Sequence, residues 1–102
     1  MITVALAGDY GKPRPALVIQ SDTAADTASV TVLLLTSDIL PASYFRHTVE
    51  PSLTNGLRKT SQVQLDRAMS FPRAKAGPTI GRLDEESLLT IPRNLAVFLG
   101  IA

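Results

Sequence analysis

The sequence predicts a mainly β fold completed by one C-terminal helix: a small SH3-like barrel or bent antiparallel sheet with the helix packed on it. Three observations carry this. Short apolar segments rich in β-branched residues recur up to residue 67, Gly, Pro and Asn clusters separate them, and the hydrophobic period lengthens to a helical one from Asp84 onward.

Ile2–Leu6 alternates weakly and predicts a strand, which Gly8-Asp9-Tyr10-Gly11-Lys12-Pro13 breaks with turn residues. Arg14–Ser21 contains Ala16-Leu17-Val18-Ile19, the continuous apolar run of a strand buried on both faces. Asp22–Ala28 is small and polar, a loop. Ser29–Thr36 is the strongest strand, dense in Val, Leu and Thr. A connection over Ser37–Ala42 leads into a strand over Ser43–Val49, with Phe45, His47 and Val49 on one face and Arg46 and Thr48 on the other. Asn55-Gly56 marks a turn within Pro51–Arg58. Ser61–Arg67 predicts a strand with Val63 and Leu65 opposite Gln62, Gln64 and Asp66, and Phe71–Thr79 a basic loop. Leu88, Ile91, Leu95 and Phe98, widened by Leu99, then form a helical stripe. Asp84-Glu85-Glu86 suits the positive end of the helix dipole, and Gly100 is a natural stop. Pro92 predicts a division into a short turn, Asp84–Ile91, and a main helix beginning at the proline.

The 102 residues have room for a single domain spanning 1–102, and 45% hydrophobic with 19% charged residues is a globular composition. No apolar run approaches the ~20 residues of a membrane span. Met1–Tyr10 lacks the basic start of a signal peptide, so a cytoplasmic location is expected. With one histidine, no cysteine and scattered carboxylates, no metal site is visible. Gly8-Asp9-Tyr10-Gly11 lacks the spacing and the following helix of a phosphate-binding loop, so no cofactor is expected. A net charge of +1 is too small to bind nucleic acid by bulk electrostatics. Binding would need local clusters: Lys12 with Arg14, Arg58 with Lys59, or Arg73 with Lys75. Each pair is equally consistent with a solvated, mixed-charge surface.

Four segments, in order, resemble the MazF/PemK toxin family. Gly11-Lys12-Pro13-Arg14-Pro15-Ala16-Leu17-Val18-Ile19 is similar to its glycine-containing loop followed by Arg-Pro-Ala and a hydrophobic strand. Leu35-Thr36-Ser37 is similar to its Leu-Thr-Ser at the end of the third strand. Asn55-Gly56-Leu57-Arg58-Lys59, Ser61 and Asp66 resemble its Gly-Leu, Ser and strand-ending Asp. Ile80-Gly81-Arg82-Leu83 and the helix ending Leu99-Gly100-Ile101 resemble its C-terminus. The resemblance implies a CcdB/PemK-like fold and the toxin of a type II toxin–antitoxin system. It also implies a metal-independent endoribonuclease acting on single-stranded RNA, a homodimer, and a cognate antitoxin partner. The chain departs from the family in having no Arg-Gly-acid before its first strand, a shorter loop before Arg14, and Gln64 where some relatives carry arginine.

Arg14 and Thr36 are the candidate catalytic pair. If Arg14–Ser21 and Ser29–Thr36 form a hairpin, Arg14 falls opposite Thr36. The resemblance independently assigns the catalytic arginine and threonine to the same positions. An arginine fork donates two parallel bonds to a phosphate, and a hydroxyl can add a third. Ser37 could assist Thr36. Asp66 is either an orienting or proton-accepting carboxylate or simply the partner of an arginine. Tyr10, Lys12, Arg46, Arg58, Lys59, Arg73 and Lys75 are candidate RNA contacts. A single histidine, His47, excludes a two-histidine acid–base mechanism, and its phase with Phe45 and Val49 favours a partly buried structural role. Two other readings share the fold: a CcdB-type gyrase poison, whose Trp-Gly-Ile tail resembles Leu99-Gly100-Ile101 here without the tryptophan, and an inactive relative that only binds antitoxin.

Overall fold

The structure is a computed structural model, and it describes residues 2–5, 13–21, 27–41 and 45–101. Six strands form one antiparallel sheet: β1 (Ile2–Ala5), β2 (Pro13–Val18), β3 (Ser29–Thr36), β4 (Arg46–Val49), β5 (Ser61–Pro72) and β6 (Ala76–Thr79). Their order across the sheet is β4-β5-β3-β2-β1-β6. A helix, α1 (Glu85–Leu99), ends the described chain. The fold is thus mainly β with a C-terminal helix, as the sequence predicts, and among the described residues β4 and β6 stand as the two edges of an open sheet.

Two cores lie on opposite faces. Leu17, Leu33, Leu35, Val49, Val63, Leu65, Leu83 and Ile91 fill the face under α1, and Ala16, Val30, Val32 and Phe71 form a smaller cluster on the other. Alternation along β2 and β3 feeds both, which is why these strands read as continuous apolar runs. The strand expected over Ser43–Val49 begins at Arg46, with Ser43 and Tyr44 outside the described residues. Val49 is buried in the core, and Phe45, just before the strand, meets Phe98 edge-on with ring centroids 5.1 Å apart.

The predicted strand Ser61–Arg67 is too short, and the predicted loop Phe71–Thr79 is mostly strand. β5 runs twelve residues, to Pro72, and after a single 3-10 turn at Arg73–Lys75 the chain returns as β6 along β1. The cause is a register shift between β3 and β5. Leu33 pairs with Ala68 but Leu35 pairs with Val63, so Gln64, Leu65, Asp66 and Arg67 together face Leu34. A shift by three reverses the faces of the strand. Val63 and Leu65 point to the core under α1, whereas Met69 and Phe71 point to the opposite cluster.

The predicted division at Pro92 does not occur: α1 is continuous, with Pro92 inside it. An interior proline costs about 3 kcal/mol. Ile91 is buried and Leu95 packs against the same core, and burying each such side chain contributes ~1.5–3 kcal/mol, enough to hold both halves in line. Pro92 itself is exposed, so water can solvate the Leu88 carbonyl it leaves unbonded. Gly100, at φ 76°, ends the helix, and Ile101 N–H donates to the Ala96 carbonyl at 3.0 Å.

Asp84 caps the other end. Its carboxylate accepts the Ser87 backbone N–H (3.0 Å) and the Ser87 hydroxyl (2.7 Å), and the buried Ser87 oxygen lies 2.8 Å from His47 Nε2. The lone histidine is therefore tied to the helix start, in the structural role its phase suggested. The two Ser87 bonds, the hydroxyl's foremost, hold the Asp84 carboxyl below its usual value. Stability from this depressed group is complete above about pH 4 and is lost as pH falls through its folded value. Asp84→Ala should cost about 1 kcal/mol at neutral pH and nothing at the acid end, measured by denaturant unfolding at both. An equal loss at both would exclude the ionised cap.

The segment before β5 is folded onto the one before α1. Buried Asn55 accepts from Ser52 and Leu57 N–H groups and donates to the Glu50 carbonyl, while Arg82 N–H donates to the Thr54 carbonyl at 2.9 Å. Gly56 sits at φ +72°, and a Cβ there would lie 2.1 Å from the Ile80 carbonyl oxygen. Gly56→Ala should therefore lower stability by at least ~2 kcal/mol in thermal unfolding, and a variant as stable as the parent would contradict this close approach.

Candidate active site

Pro13 and Pro15 bracket Arg14 at the start of β2. Further along the strand, Ile19 N–H donates to the Thr31 carbonyl at 3.1 Å. Alternation means that the backbone nitrogens of residues 17, 15 and 13 also face β3. Proline has no N–H to give. The β2–β3 ladder accordingly ends at Ala16↔Leu34. Continued two residues, the same register sets Arg14 opposite Thr36, in a gap beyond the last paired residues. Both sides of that gap are supported, since Val4 of β1 pairs with Arg14 and Gln62 of β5 pairs with Thr36. Arg14 shares its face with Ala16 and Thr36 with Leu34, so the pair lies on the side of the sheet away from α1.

Two clefts meet here. One, of about 340 Å³, is lined by Arg14, Leu34, Leu35, Thr36, Asp38, Leu40, Arg46, Gln64 and Arg67. The other, of about 550 Å³, adds Ser37, Gly56, Leu57, Arg58, Lys59 and Ser61 to Arg14, Leu35 and Thr36. The three shared residues form the common wall. The Thr36 hydroxyl accepts the Asp38 backbone N–H at 3.1 Å, which fixes its oxygen and leaves its proton for an outside acceptor. Gln62, 1% exposed, clamps the following segment: its amide nitrogen donates to the Leu40 carbonyl (2.9 Å) and its oxygen accepts the Leu40 N–H (3.1 Å). Ser61 donates to the Lys59 carbonyl at 2.9 Å, steadying the basic segment on the other side.

The predicted residues divide by place. Arg14 and Thr36 are brought together; Ser37, Arg58 and Lys59 line the larger cleft and Arg46 the smaller. Asp66 lines neither. It stands 3.8 Å from Arg46 Nε, as an arginine partner. Arg73 and Lys75 are at the other end of β3, roughly 23 Å from Thr36 along the strand. There Arg73 donates to the Thr27 carbonyl (2.8 Å) and hydroxyl (3.3 Å). Tyr10 and Lys12 lie outside the described residues. Sequence reasoning missed Asp38, Gln64 and Arg67 as cleft residues. The last two reach the cleft because of the register shift, which no local pattern announces. Among the described residues no three His, Asp or Glu side chains group as a metal site would require, and no helix is long and apolar enough to cross a membrane.

Comparison with known proteins agrees with this architecture. Among solved structures, the Mycobacterium tuberculosis toxin MazF-mt6 superposes with a TM-score of 0.82 at 22% identity, covering 99% of this chain and 97% of that one. An endoribonuclease from Mycobacterial species, in complex with its cognate antitoxin, gives 0.81 at 20% identity over 99% and 92%. MazE-MazF from Deinococcus radiodurans gives 0.77 at 20% over 99% and 91%. At these identities the likeness is one of fold. Closer in sequence is the probable endoribonuclease MazF of Mycolicibacterium smegmatis (strain ATCC 700084 / mc(2)155), 42% identical over 101 residues, 98% of this chain and 93% of that protein. Residues 1–99 match the family model described as the PemK-like, MazF-like toxin of type II toxin-antitoxin systems, and with that match spanning the sheet, both clefts and the helix, the chain belongs to this toxin family.

Proposed function

We propose that this chain is a single-domain cytoplasmic endoribonuclease, the toxin of a type II toxin–antitoxin pair, which cleaves single-stranded RNA without a metal. The observation that carries the reading is the Arg14–Thr36 pair on the wall common to two clefts, where a strand can lie on either side of one phosphate. The 2′-hydroxyl of the RNA attacks the adjacent phosphorus as the bond to the 5′-oxygen breaks. The hydroxyl proton passes to a base, the leaving oxygen takes one up, and a cyclic phosphate and a 5′-hydroxyl remain. Arg14 donates a fork of two bonds to the phosphoryl oxygens as their charge grows, Thr36 donates a third, and Ser37 stands next to it. Arg58 and Lys59 hold the strand in the larger cleft. Asp66 pairs with Arg46 and lines neither cleft, so it takes no part in this step.

Arg14→Ala should slow cleavage by about 10²–10³ while leaving thermal stability unchanged, and Thr36→Ala by the same or less. Arg14→Lys should fail as well, because an ammonium cannot form the fork. Activity should persist in EDTA and leave cyclic phosphate ends. Equal rates for the parent and Arg14→Ala would remove Arg14 from the mechanism, and an absolute need for magnesium would discard the mechanism.

The partners follow from surfaces. Leu88, Leu89 and Leu99 lie on neighbouring sides of α1 and are exposed, an apolar stripe suited to a second copy of the chain in a two-fold dimer. The cations around the clefts suit an acidic antitoxin segment lying over Arg14, and the similar proteins solved as antitoxin or MazE complexes support this. Light scattering should give twice the 10.9 kDa chain mass at micromolar concentration, and Leu99→Asp should shift it toward the monomer. A monomeric parent would end the dimer reading.

A further inference from the structure

The proposed cleavage makes no use of one arginine that the fold takes care to place. Arg46 has only 15% of its side chain exposed. Its Nη1 donates to Gln64 Oε1 at 3.0 Å, and its Nε lies 3.8 Å from Asp66. Gln64, 9% exposed, is itself anchored by donating to the Leu34 carbonyl at 3.4 Å. Both partners of Arg46 come from the stretch of β5 that the register shift sets against Leu34. Neither contact engages Nη2, and the side chain lines the 340 Å³ cleft.

That cleft gathers three arginines, Arg14, Arg46 and Arg67, against one lining carboxylate, Asp38, and with Asp66 counted behind Arg46 the cations still outnumber the anions. Its remaining described walls are leucine, threonine and Gln64, with no aromatic ring on which a base could stack. A polar cleft with surplus forked donors and no stacking platform fits a phosphate better than a base. We infer that the smaller cleft is a subsite for the phosphate next to the scissile one, with Arg46 as its fixed ligand and Arg67 beside it. The inference rests on the ribonuclease reading above and deepens it. A loose surface lysine adds attraction without register. An arginine held by Gln64 on the same rigid sheet as Arg14 sets which phosphate comes to rest at Arg14.

The test begins with the full chain and a long RNA in EDTA, from which cleavage sites are mapped. A short RNA spanning one site, with 2′-deoxyribose at the scissile position, then binds without being cut. Arg46→Gln should bind it about tenfold more weakly, and the slope of log affinity against log salt should shrink by about 0.7. Arg46→Lys, which keeps the charge, should retain the slope while losing affinity, and it guards against a glutamine variant that folds poorly. Methylphosphonate at one flanking phosphate should weaken the parent about tenfold and cost Arg46→Gln nothing further. If the parent cleaves and binds but Arg46→Gln binds equally well, or if every methylphosphonate penalty simply adds to that of the variant, the subsite is overturned. Non-additivity with an abasic nucleotide instead would make it a base pocket and overturn it too. A parent that neither cleaves nor binds RNA would overturn the ribonuclease reading and the subsite with it.

Discussion

Leu34 faces four residues of β5 where a regular ladder would give it one. The surplus residues carry backbone groups that β3 cannot pair, and buried donors and acceptors must find partners elsewhere. Leu65 N–H continues the β4–β5 register by donating to the Phe45 carbonyl at 2.8 Å, and the Leu34 carbonyl, left facing the shift, takes the Gln64 side chain. The same Gln64 side chain holds Arg46 at the cleft, which Arg67 also lines. The shift also lets one strand serve two cores, because its odd-numbered residues change sides across it. The position of the smaller cleft, the burial of Gln64 and the split hydrophobic interior all depend on this one irregularity in pairing.

The same irregularity marks where sequence reasoning stopped short. Alternation in Gln62-Val63-Gln64-Leu65-Asp66 gave a strand with the correct faces, and the pattern then broke at Arg67. A change of phase and the end of a strand look alike in one dimension. The continuation through Met69 and Phe71 therefore passed as loop, and β6 with it. The helix failed in the opposite way. Pro92 is a strong local signal, but the packing of Ile91 and Leu95 is a tertiary quantity that outweighs it. Arg14 and Thr36 were accessible because a hairpin without shifts obeys simple arithmetic, and the β2–β3 pairing kept that arithmetic. Arg67, Gln64 and Asp38 were not, since their place depends on pairing between strands distant in sequence.

The cations show how little net charge says about a site. The chain carries +1 overall, yet Arg14, Arg46, Arg58, Lys59 and Arg67 all border two adjoining clefts. Asp84, Glu85 and Glu86 are gathered at the start of α1 and line neither cleft. Screening confines exposed charges to about a Debye length, ~8 Å at physiological salt, so the separation gives an RNA strand a positive field that the average conceals.

The two prolines around Arg14 give the gap between β2 and β3 an unusual origin. It exists because two backbone hydrogens are missing from the strand where the ladder would otherwise run on. The guanidinium therefore stands on backbone bonded to β1, and its opposite hydroxyl on backbone bonded to β5. Among the described residues, the two strands that make this wall keep their backbone bonds to β1 and β5 when a substrate arrives. These two strands are preorganised by their pairing, so little of the binding energy is consumed in reshaping them.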